Sequence, residues 1–209
     1  MLKHLVQTST KLFKLQVAGG LYINSSSGIP YNLLLVPSAN TLLLTGDCLT
    51  PERRVNNHFL RYLEDNWSQV IYIHGDTELK CPGSITNGYK YKSIIHAHKN
   101  EVPLGKGPNG NLYTLLATSY SPWFNPPLLN SDEHWLYDYL KESRGISIVA
   151  TYGELPYDVL TGNISAIIQG AQSKNQFDPK KGPITNNYKS ADGTLQMNYS
   201  PSFTLQFKS

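Results

Sequence analysis

The residues best suited to chemistry are acids and imidazoles placed at the ends of apolar runs. Asp47 follows Gly46 after the run Thr41 to Thr45, and Asp76 follows Gly75 after Gln69 to His74, with Thr77 and Glu78 next. Carboxylates at such positions serve one of two ends. They ligate divalent cations, and a pair of ions about 3.5–4 Å apart polarises a phosphate and generates hydroxide. Alternatively they cap the helix or turn that begins there, which is the reading favoured for both. Asp47 and Asp76 together would make at most a site for one hard divalent cation, Mg²⁺ or Mn²⁺, that keeps several waters. His96 and His98 share one side of an extended strand, but no Cys or acidic companion lies near them in sequence, which argues against a metal pair. His58, His74 and His134 read as structural or solvated. Cys48 reads as a small buried hydrophobe rather than a nucleophile. No nucleophile elbow, phosphate-binding loop or dinucleotide fingerprint occurs.

Those acids need a scaffold, and the stretch from Asn40 to Leu79 supplies one. Two apolar strands flank a helix in which Val55, Phe59, Leu60 and Leu63 keep helical spacing. A strand, helix and strand of this length form a right-handed crossover in a parallel sheet. Both Gly-Asp turns then fall on one rim, at the carboxyl ends of their strands, where open α/β sheets bind ligands. Further strands are predicted at Leu12 to Asn24 (ending in Gly19-Gly20), Ser93 to Ala97, Leu112 to Thr118, Ile146 to Ala150 and Ile164 to Ile168. A helix is predicted over Ser131 to Lys141, with Ser131 as its N-cap. Thr194 to Asn198 and Phe203 to Phe207 alternate as antiparallel strands and predict a C-terminal hairpin.

Composition sets the outer limits. A chain of 209 residues is most simply one domain, here 1–209 with about residues 1–11 as an extension. Charged residues are 16% and tyrosines number 14, a balance suited to a surface covered by partner proteins or by further copies of the chain. The net charge of +3 is spread over scattered lysines, which argues against a nucleic-acid partner. Cys48 and Cys81 make no disulfide framework. The opening MLKHLVQTSTKLFK has no apolar core of signal-peptide length, and no segment approaches a membrane span. The expectation is a protein not secreted by a classical signal, without a membrane partner, located in the cytoplasm or, as analogy with degenerate enzyme folds implies, in a virion.

The order of strand endings resembles the calcineurin-like metallophosphoesterases. LLLTGDC is similar to that family's Gly-Asp motif, and VIYIHGDTEL to its Gly-Asn-His-Glu motif, at a close spacing. ISIVATYGELP resembles the late His-bearing strand, and ISAIIQGAQS the strand ending in Gly-His-x-His. TNNYKSADGTLQMNYSPSFTLQF resembles the closing run, an Asn-containing strand and a hairpin that finish the second sheet. The resemblance covers the chain from about Leu15 onward. It implies an α/β fold, a four-layer α-β-β-α sandwich of two mixed sheets.

The departures decide what the resemblance implies about chemistry. Gly20 stands where the family has its first Asp, and Tyr22 where it has the first His. Asp47 keeps the position of the metal-bridging Asp. Asp76 replaces the metal-binding Asn, and Thr77 replaces the catalytic His. Tyr152, Ala171 and Ser173 stand at the three late histidines. These side chains offer no imidazole, and a threonine hydroxyl does not titrate near neutral pH. The expectation is therefore a non-catalytic protein without a cofactor, a structural or protein-binding module built on an enzyme scaffold. A residual single-metal phosphoesterase using Asp47 and Asp76, or a phosphate or nucleotide binder, is the alternative.

Overall fold

The structure is a computed structural model of the chain. It describes residues 14–23, 30–50, 53–80, 91–106, 110–120, 126–142, 145–153, 155, 164–170, 187–190, 195–197 and 202–206. The elements run β1 (Lys14–Ala18), α1 (Tyr31–Leu34), β2 (Thr41–Thr45), α2 (Arg53–Asn66), β3 (Gln69–Ile73), α3 (Asp76–Lys80), β4 (Ile94–Ala97), β5 (Asn100–Lys106), β6 (Leu112–Thr118), α4 (Pro126–Glu142), β7 (Ile146–Thr151), β8 (Ile164–Gln169), β9 (Asn187–Ser190), β10 (Leu195–Met197) and β11 (Ser202–Gln206).

The strands form two sheets. The first has the order β11-β1-β2-β3-β4 and the second β10-β9-β8-β7-β6-β5. Both are mixed. In the first, β1, β2, β3 and β4 pair in parallel while β11 joins β1 antiparallel. In the second, β6, β7 and β8 are parallel and β5 and β9 antiparallel. The predicted crossover is present, with Thr41 beside Gln69 and Thr45 beside Ile73.

Alternation along the strands divides the core. Leu15, Val17, Leu43, Ile71, Ile73 and Ala97 of the first sheet pack with Tyr113, Leu115, Ala117, Ile148, Ala150 and Ile168 of the second. The other face of the first sheet carries Leu42, Leu44, Val70 and Tyr72, which meet Phe59, Leu60 and Leu63 of α2. Leu116 and Val149 of the second sheet meet Leu136 and Leu140 of α4. Each such fully buried side chain stabilises the fold by about 1.5–3 kcal/mol. Gln16 shares the α2 side, where burial demands partners. Its side chain donates to Val36 O at 2.8 Å and accepts from Ser38 N at 2.9 Å and Trp67 Nε1 at 3.0 Å.

Two expectations are corrected. Ser131 does not cap α4, because the helix begins five residues earlier at Pro126; the first turn tolerates Pro126 and Pro127, whose missing N–H groups would have no partner there anyway. The two last strands do not form one hairpin. β10 pairs with β9 in the second sheet, whereas β11 pairs with β1 in the first, since alternation specifies a strand but not its neighbour. Among the described residues, no helix is long and apolar enough to cross a membrane.

Candidate functional site

The carboxyl ends of β1, β2, β3 and β7 meet at one rim, and the turns there are built by backbone conformation. Gly46 has φ +93° and sits in a position that a side chain could not share with Tyr152. Asp47 follows with φ 52°, a left-handed geometry that Asp tolerates better than most residues. Tyr22 also has a positive φ, 44°, which is costly for a bulky residue. Hydrogen bonds hold it there: Gly20 N donates to Gly46 O at 2.8 Å and Tyr22 N to Asp47 O at 2.9 Å.

Asp47 is the hub. Its Oδ2 accepts hydrogen bonds from the Tyr22 hydroxyl at 2.9 Å and the Tyr152 hydroxyl at 2.6 Å. Its Oδ1 accepts from Thr77 N at 3.0 Å. Capping is therefore its role, but the helix it caps is α3, thirty residues on, rather than the one that follows it in sequence. Burial, then the charge and hydrogen bond of Asp47, push both tyrosine hydroxyls far above the ordinary phenol range. Both remain protonated donors.

Beneath Asp47 lies a second buried acid. Glu78 is 0% exposed. Its Oε2 accepts from Asp47 N and Gly75 N, each at 2.9 Å. Its Oε1 accepts from Cys48 N at 2.7 Å, Leu49 N at 2.8 Å and the Tyr72 hydroxyl at 2.5 Å. The bond to Gly75 N is the backward half of a capping box, with Glu78 at the third helical position. Burial and the neighbouring Asp47 raise its pKa, against the opposing pull of the N–H and hydroxyl donors. Cys48 is buried, and burial with the charge of Glu78 pushes its thiol well above the usual range, which removes any nucleophilic role.

The other predicted positions fall out as follows. Gly20, Tyr22, Asp47, Asp76, Thr77 and Tyr152 all line this rim. Asp76 opens α3 and pairs with Lys80 one turn on, at 3.9 Å. Ala171 and Ser173 lie outside the described residues. Gly170, just before them, is packed so closely on Thr45 that a β-carbon would stand 1.9 Å from Thr45 O. The end of β8 therefore reaches the same rim. His96 and His98 do not act together: His96 Nδ1 meets Nε2 of His74 at 2.8 Å, and His98 is exposed. Sequence reasoning passed over Tyr72 and Glu78 as the acid knot, although the Gly75-to-Glu78 spacing of a capping box was available.

The two buried acids of this rim are engaged in hydrogen bonds. Asp47 takes two hydroxyl hydrogens on Oδ2 and one amide hydrogen on Oδ1, and Glu78 takes five donors on its two oxygens. A cation at Asp47 Oδ2 or at Glu78 would compete with these hydrogens for a lone pair. Among the described residues, no group of three or more His, Cys, Asp or Glu side chains converges in a way that could hold a metal.

No protein-family model matches the chain, and no curated protein matches it. Solved structures do. Phosphopantetheinyl hydrolase (PptH) from Mycobacterium tuberculosis is similar over 69% of this chain and 70% of its own, with 11% identity and a TM-score of 0.50. A protein of unknown function from Aquifex aeolicus is similar over 65% of this chain and 77% of its own, with 18% identity and a TM-score of 0.38. At such identities the first likeness is one of fold alone, and the second is too slight to carry an argument.

Proposed function

We propose that the chain is a catalytically inactive protein on the metallophosphoesterase plan, a four-layer α-β-β-α sandwich that serves as a structural or protein-binding module. One observation supports this reading: Asp47 Oδ2, on the residue that the resemblance aligns with a bridging metal ligand, accepts two tyrosine hydroxyls. The hydroxyl of Thr77 offers no acid–base group near neutral pH. The fold-level likeness to a hydrolase supports the scaffold but says nothing of activity. Low charge and abundant tyrosine favour protein partners or a homo-oligomer, in the cytoplasm or within a viral assembly, without a membrane or nucleic-acid partner. The protein needs no cofactor.

Calorimetric titration with Mn²⁺, alongside an aryl-phosphate hydrolysis assay, tests the reading. The expected result is neither binding nor turnover. Micromolar Mn²⁺ affinity, with turnover abolished by Asp47→Asn, would overturn it in favour of a single-metal phosphoesterase at Asp47 and Asp76. Saturable binding of inorganic phosphate or a nucleotide without turnover would instead make the rim a phosphate site.

A further inference from the structure

The strand-end turns that meet at the rim are shaped around one aromatic ring. A β-carbon on Gly46 would stand 2.6 Å from Tyr152 Cδ2, and one on Gly75 would stand 2.8 Å from Tyr152 Cε2. Both turns therefore lie against the ring at backbone distance, closer than any side chain would permit. Tyr152 follows β7 of the second sheet, and the two turns follow β2 and β3 of the first. The ring is 4% exposed. At its far end the hydroxyl meets Asp47 Oδ2, which the Tyr22 hydroxyl also reaches. These are the parts of a ligand pocket: two glycine turns laid against the ring, apolar side chains such as Leu43, Ile73 and Ala150 in the same buried cluster, and one carboxylate acceptor at its base.

We propose that the Gly46 turn, the Gly75 turn and the Asp47 carboxylate form a phenol-recognition site, which the chain fills with its own Tyr152. Tyr152 is in this sense a built-in plug, placed where α/β sheets of this kind take their ligands. The inference shares the rim geometry with the functional reading above but not its conclusion, since a phenol slot could exist beside activity or without it. A hydroxyl bonded to a buried carboxylate discriminates strongly against the same ring lacking it.

The test empties the slot and refills it. In Tyr152→Ala, p-cresol, the side chain's own phenol, should bind and raise the thermal midpoint progressively with concentration. Toluene should bind roughly tenfold or more weakly, because it fills the slot but cannot reach Asp47. Tyr152→Phe keeps the ring, so it should give no p-cresol response. Where the alanine variant does not accumulate as folded protein, Tyr152→Val is titrated in its place. No p-cresol response in the variant that folds, an equal response to toluene, or an equal response in Tyr152→Phe would each overturn the proposal. The Mn²⁺ and hydrolysis assays are independent of these outcomes, so either inference can fail alone.

Discussion

The Tyr152 hydroxyl donates a 2.6 Å hydrogen bond to Asp47 Oδ2 across 105 positions of sequence, from one sheet to the other. A hydrogen bond to an ionised acceptor is worth about 1.5–3 kcal/mol when both groups are buried. Tyr152→Phe should therefore lower unfolding stability by about 1.5–3 kcal/mol, read as a reduced denaturant midpoint at unchanged slope. Asp47→Ala removes the same bond and, with it, the acceptors of the Tyr22 hydroxyl and Thr77 N. The double variant should consequently lose less than the sum of the single losses. Strict additivity in that cycle would mean the two groups do not interact.

Glu78 carries more. Its carboxylate accepts four backbone N–H groups and the Tyr72 hydroxyl, so truncation leaves several buried donors without acceptors. Each such donor costs about 1–3 kcal/mol. Glu78→Ala is expected to cost at least ~3 kcal/mol, enough to endanger a domain of ordinary stability. Glu78→Gln, which keeps the size but offers a single acceptor oxygen, should fall between that variant and the parent. Urea unfolding of the series checks the order, and equal losses in both variants would contradict it.

Much of this arrangement was legible in the residues, and the reasons for the gaps are specific. The β2–α2–β3 crossover is written in local signals: two apolar runs, a helical stripe at Val55, Phe59, Leu60 and Leu63, and Gly-Asp at each strand end. The start of α4 was not, because Pro126-Pro127 looks like a loop until a helix is known to follow. Tyr22 and Tyr152 stood out only as replacements for histidines. Their shared acceptor depends on how two sheets are laid together, which no local spacing encodes. The same limit hid β11, whose alternation announced a strand but not its place beside β1.

The glycine at position 75 gives a sharper test of close approach. A β-carbon there would lie 2.6 Å from Asp47 N, 2.7 Å from Asp47 Oδ1 and 2.8 Å from Tyr152 Cε2. Backbone cannot retreat as a flexible side chain can, so Gly75→Ala should cost about 1–3 kcal/mol through overpacking. It should also weaken the Tyr152 bond, making the further loss from Tyr152→Phe smaller in that background. Gly110→Ala is the control, for its φ is +79° but nothing lies within 4 Å; it should cost only about 1 kcal/mol from backbone strain. Thermal unfolding of the two variants compares them directly, and an equal shift would dismiss the steric argument.

Acid should weaken the fold through His74. Burial first, then the neighbouring His96 and His98, lowers its pKa from 6.5 to about 3. In the unfolded chain the same imidazole takes up a proton near its ordinary value. As pH falls below about 6.5 the unfolded state thus binds a proton that the folded state refuses, and stability declines by up to ~1.4 kcal/mol per pH unit. That loss continues until the folded imidazole itself protonates near pH 3, and the contribution is fully present above 6.5. Carboxylates add their own terms lower down, so the clean window lies between about pH 6.5 and 5. Denaturant unfolding across that window should show a falling midpoint in the parent, and a slope smaller by up to one proton in His74→Asn. A parent whose stability is flat from pH 6.5 to 5 would mean that the imidazole is charged inside the fold, with its 2.8 Å contact to His96 sharing that proton.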